Sequence, residues 1–277
     1  MAPLLVVVAV LAGALIGLSL GALGGGGSIL AVPVLLALGE SPAQATTGSL
    51  VVVGITSLAG TVTARRAGNV LLARGVAFGT VAIAGAVAGA RASAAVPEPV
   101  LLAAFAGLMV VVAGLMLSRQ VRSSRGTTAG SHVERARLDD PIITFSPTFM
   151  CQCPRALKVL VTATAVGLLT GFLGVGGGFL VVPALTLALA LPMRYAAGTS
   201  LVVITITSAA ALATRAGTGI APDWWIVALL TLTAVVGSVA GARLAARTDT
   251  RRLSAAFTGL VLVVAALTAA TAVPALI

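Results

Sequence analysis

The chain has 277 residues, of which 59% are hydrophobic and only 9% charged, with a mean hydropathy of +1.14 and a formal net charge of +10. Soluble domains carry roughly 25% charged residues, so this composition excludes a water-soluble globular protein and points to an all-α, polytopic membrane protein. The positive surplus does not describe a nucleic-acid partner, because the basic residues lie between apolar segments and aromatics make up only 4% of the chain.

The first apolar segment, residues 4–20, lacks the charged n-region of a secretory signal and is expected to remain as a membrane span. Further apolar segments lie at 28–39, 43–64, 71–90 and 99–117, followed by a polar stretch at 118–156. A second set occupies 157–172, 179–191, 196–213, 224–242 and 253–273. The longer segments cross a hydrocarbon core of roughly 30 Å at 1.5 Å per residue. Segments 28–39 and 179–191 reach only about 18–20 Å by the same rise and are expected to be half-helices or one arm of a broken hairpin. Residues 1–117 thus form a first transmembrane repeat, 118–156 a cytoplasmic loop and 157–277 a second repeat.

The two sets are copies. Gly21-Ala-Leu-Gly-Gly-Gly-Gly-Ser-Ile-Leu-Ala-Val-Pro33 matches Gly171-Phe-Leu-Gly-Val-Gly-Gly-Gly-Phe-Leu-Val-Val-Pro183 at 8 of 13 positions. Ser49-Leu-Val-Val-Val-Gly-Ile-Thr-Ser57 matches residues 200–208 at 7 of 9, and Gly85-Ala-Val-Ala-Gly-Ala-Arg91 matches residues 237–243 at 6 of 7. Lys and Arg favour the cytoplasmic side. Counting each glycine-turned pair as one hairpin inverts the second copy and places 15 basic residues inside, with Arg91 and Arg215 outside. A parallel arrangement gives a weaker split of 11 against 6. The inverted repeat, with about eight crossings, is therefore expected. Trp224, Trp225 and Tyr195 read as interfacial anchors, and Gly85, Gly89, Gly237 and Gly241 as helix-packing positions.

A glycine run inside apolar sequence frees backbone groups that lipid cannot satisfy, so it survives only where protein or a cavity surrounds it. A break repeated in both halves points to a transporter's binding site. Half-helix N-termini favour negative charge, which makes Gly24, Gly26, Gly27, Ser28, Gly174, Gly176, Gly177 and Gly178 candidate backbone donors to a small anion. Thr47, Ser49, Thr199 and Ser200 are candidate hydroxyl donors. The simpler reading is a flexible joint or a packing groove, with hydroxyls bonded to their own preceding turn; for Thr56 and Thr205 both readings stay open. Arg91 and Arg243 either snorkel at helix ends or form an electropositive mouth. The seven acids lie in loops or at span ends and the single histidine, His132, in the central loop. Neither a metal site, a resident cofactor, a phosphate loop nor a catalytic group can be assembled from these residues. Cys151 and Cys153 are too few for a closed metal site.

The paired glycine runs leading into Val-Pro, with Gly198-Thr-Ser-Leu201 in the second copy and Thr47-Gly-Ser-Leu50 in the first, resemble the TauE/SafE family. That resemblance implies a multi-pass bacterial inner-membrane permease exporting sulfite or an organosulfonate. The rival readings are a permease for another solute or metal, and a non-transporting scaffold in which the cysteines relay sulfur. Homo-oligomerisation stays open.

Overall fold

The computed structural model describes residues 3–93, parts of 107–118, 153–173, 178–187, 189, 191–215 and 221–272. The central polar loop with His132, Cys151, and the glycines at 174, 176 and 177 lie outside the described residues. The described regular structure is all helical: α1 Pro3–Leu23, α2 Gly26–Ala37, α3 Pro42–Arg66, α4 Leu72–Ser93, α5 Cys153–Leu173, α6 Gly178–Leu187, α7 Met193–Arg215, α8 Trp224–Arg247 and α9 Thr250–Ala272. Five of these are long and apolar enough to cross a membrane. The short pair, α2 and α6, stands where the half-helices were expected, each with an internal proline, Pro33 and Pro183.

Local chemistry sets the helix ends. Ser41 and Gln44 form a reciprocal capping box with Pro42 behind it, which starts α3 five residues after the end of α2. Asp223 caps α8 by accepting from the Trp225 amide at 3.0 Å. Gly39 and Gly68 end α2 and α3 with positive φ, and the following Glu40 and Asn69 amides donate back to Leu35 and Ala64. Only glycine takes this left-handed turn without strain.

The helices pack in exchange-related pairs: α1 lies on α8 as α4 lies on α5, and α3 touches both α8 and α7. Glycine contacts give the directions. Along α1, Gly13, Gly17 and Gly21 meet Thr233, Ala234 and Ser238 in turn, so α1 and α8 run parallel. Gly167 and Gly171 of α5 meet Ala82 and Ala86 of α4, again parallel. Gly54 and Gly60 of α3 meet Ser208 and Leu201 of α7, which therefore runs antiparallel to α3. Gly85, Gly237 and Gly241 sit directly against neighbouring backbone, the close small-residue contact expected of them.

One end of the bundle gathers Arg65, Arg66, Arg74, Arg194, Arg243 and Arg247 through the α3–α4 turn and the α7 start and α8 end. Arg194 Nη2 donates to the Ala246 carbonyl there, at 2.7 Å. Arg91 and Arg215 end α4 and α7 at the opposite face. At that face Glu40 Oε1 accepts from the Asp223 amide at 2.7 Å, tying α2 to α8.

Two buried apolar clusters fill the interior, one around Phe78, Phe179 and Phe257, the other around Ile16, Leu20, Leu201 and Ile204. The outer surface is equally apolar: Leu11 is 65% and Leu232 68% exposed, which suits lipid and not water. Trp224 and Trp225 are exposed at the start of α8, as interfacial anchors are.

A Cβ on Gly17 would overlap the Ala234 backbone, whereas one on Gly259 meets nothing within 4 Å. Overpacking costs about 1–3 kcal/mol or more. Gly17→Leu is therefore expected to lower the melting temperature of purified protein sharply, and Gly259→Ala to leave it within error. Equal melting temperatures would contradict the α1–α8 packing.

Candidate substrate site at the junction of the glycine-rich turns

The two short helices begin against one another. A Cβ on Gly25 would overlap the Gly178 carbonyl, and one on Gly178 would stand 2.7 Å from Ser28 Oγ. Gly24, at φ +76°, carries the chain from α1 into α2 and lies against Ala197 and Ser200 of α7. Gly26, Gly27, Ser28 and Gly178 are all buried. No side chain caps the α2 N-terminus at Gly25. Two helix N-termini, each with its positive dipole end, thus meet in the protein interior.

The candidate hydroxyls already bond within the protein. Ser28 Oγ donates to the Gly25 carbonyl at 2.8 Å. Ser200 Oγ lies 2.6 Å from the Gly24 carbonyl and 2.8 Å from that of Ala197, so its hydrogen locks the first turn to α7. Thr199 Oγ1 accepts from the Leu71 amide at 3.1 Å. Ser49 and Thr47 donate to Thr46 and Ala43 carbonyls at 2.8 and 2.9 Å. A hydroxyl has one hydrogen, so the donors that Ser28 and Ser200 leave at the junction are backbone amides.

Of the candidate residues, the fold brings together Gly24, Gly26, Gly27, Ser28, Gly178 and Ser200. Thr47 is placed elsewhere: with Thr46 it accepts from Arg215 Nη1, at 3.2 and 2.8 Å. Ser200 and Arg215 stand 15 helical residues apart on α7, roughly 22 Å at 1.5 Å per residue. Thr205 bonds its own preceding turn at Leu201, at 2.8 Å. Thr56 does not; with Ser57, Thr61 and Ser208 its buried hydroxyl finds no partner among the described residues. Ser57 and Ser208 are repeat equivalents on the crossing of α3 and α7. The Thr-Ser pairs in each copy were the sequence signal for this unpaired polar strip.

A cavity of about 430 Å³ opens between α3, α4, α5 and α7 at the Arg91–Arg215 face and reaches down to Thr170 and Gly171, where the second glycine motif begins. The repeat-equivalent space is filled. Ser238 Oγ, the counterpart of Ala86, bonds the Thr56 carbonyl at 3.2 Å, and Leu201, the counterpart of Leu50, is fully buried against Gly60. A hollow of about 10 Å³ lies beside Gly21, Ala64 and Arg194.

Lipid-length helices around an abutting pair of short helices describe a polytopic membrane protein. The family described as Sulfite exporter TauE/SafE matches residues 9–268, and the chain belongs to it. A "Probable membrane transporter protein" of Xylella fastidiosa strain 9a5c is 34% identical over 200 residues, covering 72% of this chain and 69% of that protein. Its counterpart from strain Temecula1 gives the same identity and coverage. "Probable membrane transporter protein YdhB" of Bacillus subtilis strain 168 is 26% identical over 234 residues, covering 84% of this chain and 86% of its own. No solved structure matches significantly. The chain is a multi-pass membrane transporter of the TauE/SafE type.

Proposed function

We propose that the chain exports a small sulfur-containing anion, sulfite or an organosulfonate, holding it where the N-termini of α2 and α6 meet. The observation that carries this reading is the abutment of Gly25 with Gly178. The glycines let the two helix starts approach backbone to backbone, and helix N-termini brought together in this way favour a negative charge. The family description names sulfite as cargo, and the junction chemistry agrees with it. Gly174, Gly176 and Gly177 would complete the second half of the site.

Transport follows from the two halves being inverted repeats. The parallel pairing of α1 with α8 and of α4 with α5, together with antiparallel α3 and α7, supports that inversion, as does the collection of arginines at one end. In this conformation the Arg91–Arg215 side is open and its counterpart closed. Exchanging the two arrangements would present the junction to the other side. Sulfite titrates near neutral pH and carries its own proton, which accounts for a path built without a carboxylate relay.

The test is competition. Sulfite uptake into proteoliposomes is expected to be suppressed by methanesulfonate and left unchanged by glycerol or zinc ion, and to respond to an imposed pH gradient. Suppression by zinc or glycerol, with none by methanesulfonate, would replace this reading with a permease for another solute.

A further inference from the structure

We infer that the cavity between α3, α4, α5 and α7 is a second anion site, separate from the glycine junction, that takes a monoanion with an apolar body. Its lining includes two arginines, Arg91 and Arg215, on a single hollow, with no acidic residue among the described lining residues. They end helices of different repeats, and the repeat counterpart of Arg215 is Ala64. The pairing therefore exists on one face only and is not a by-product of the duplication.

Arg215 is held in place: Thr46 and Thr47, at the start of α3, both accept from its Nη1. That fixes the planar fork at the cavity wall, the arrangement that recognises carboxylate, sulfonate or phosphate oxygens. A second polar group lies deeper. Ser208 is 2% exposed, lines the cavity, and its Oγ has no partner among the described residues. Buried hydroxyls are ordinarily paired, so this donor suits a ligand oxygen.

The remaining wall is aliphatic, with Leu50, Ile83, Val87 and Ala211 prominent. A volume of about 430 Å³ falls in the range of small-molecule pockets. A bare oxyanion would leave that wall in water. An anionic head on a body of a few carbons satisfies the arginines and covers the wall together. Such chemistry has two sources, a soluble short-chain organic anion or the acidic headgroup and first methylenes of a lipid.

The experiment is calorimetric binding of methane-, ethane-, propane- and butanesulfonate to the full chain in phosphatidylcholine nanodiscs. Each methylene buried is expected to tighten binding about fourfold. Arg215→Gln is expected to weaken every member of the series roughly tenfold or more, and Ala211→Phe to abolish the chain-length gain. Arg91→Gln, at an exposed side chain, repeats the charge test if Arg215→Gln does not fold. Adding phosphatidylglycerol separates the sources: competition assigns the site to lipid, and unchanged affinity to a soluble anion. Ser28→Asp, which occupies the junction, is expected to remove the junction's own share of binding and to leave the chain-length-dependent, arginine-dependent binding intact. A flat chain-length series, or unaltered affinity in both folded arginine variants, would overturn the inference, and loss of the chain-length-dependent binding in Ser28→Asp would overturn the separateness of the two sites. Binding is read without flux, so failure of the transport proposal would leave this result distinguishable.

Discussion

Ser28→Asp is expected to abolish anion flux in protein that still inserts and folds. Ser28 occupies the third position of α2, where an acidic side chain favours the helix dipole, and glycine at 178 leaves no side chain beside it. The new carboxylate would sit at the meeting point of both N-termini and take the place of the substrate. Two like charges 4 Å apart at an effective dielectric near 20 repel by ~4 kcal/mol, roughly a thousandfold in affinity. Ser28→Asn is close in size, uncharged, and expected to retain measurable flux. The comparison is made on reconstituted protein with matched melting temperature. Equal flux in Ser28→Asp and wild type would remove the junction from the transport path.

The second large effect concerns the closed face. A Cβ built at Gly60 lies 2.7 Å from Ser238 Oγ, close to the reach of a disulfide between cysteines at those two positions. Gly60→Cys with Ser238→Cys, in a chain whose Cys151 and Cys153 are replaced by serine, is expected to cross-link α3 to α8 on oxidation. The link holds shut the face that must open when the arrangement exchanges. Flux is expected to fall to background on oxidation and return with reductant. Undiminished flux through fully cross-linked protein would show that transport does not require α3 and α8 to separate at this face.

Much of this architecture was legible in the sequence because it is written in local terms. Span lengths and the two glycine breaks follow from hydropathy and repetition, and the Ser41–Gln44 capping box is a signal three residues long. The starts of α5 at Cys153 and α7 at Met193 lie a few residues before the apolar segments begin, since helix ends follow hydrogen bonding and not hydropathy. Side-chain roles were less legible. In a membrane bundle both the lipid face and the core are apolar, so periodicity does not say which way Thr47 or Ser200 points. Ser200 reaches the Gly24 carbonyl across 176 positions, and Arg215 reaches Thr47 across 168. Such pairings are a property of the packed helices, and no short motif announces them. The notable sequence signal was negative: Arg91 and Arg215 were the two basic residues left on the outer side, and the fold places both on one cavity.

The central claim is that a sulfur-containing anion crosses the membrane through the glycine junction. The most direct measurement is sulfite flux across proteoliposomes of purified protein, wild type beside Ser28→Asp, over a range of sulfite concentrations. Saturable flux in the wild type and background flux in the folded variant are predicted. Absence of saturable flux from folded wild-type protein, or the same flux in both, would contradict it.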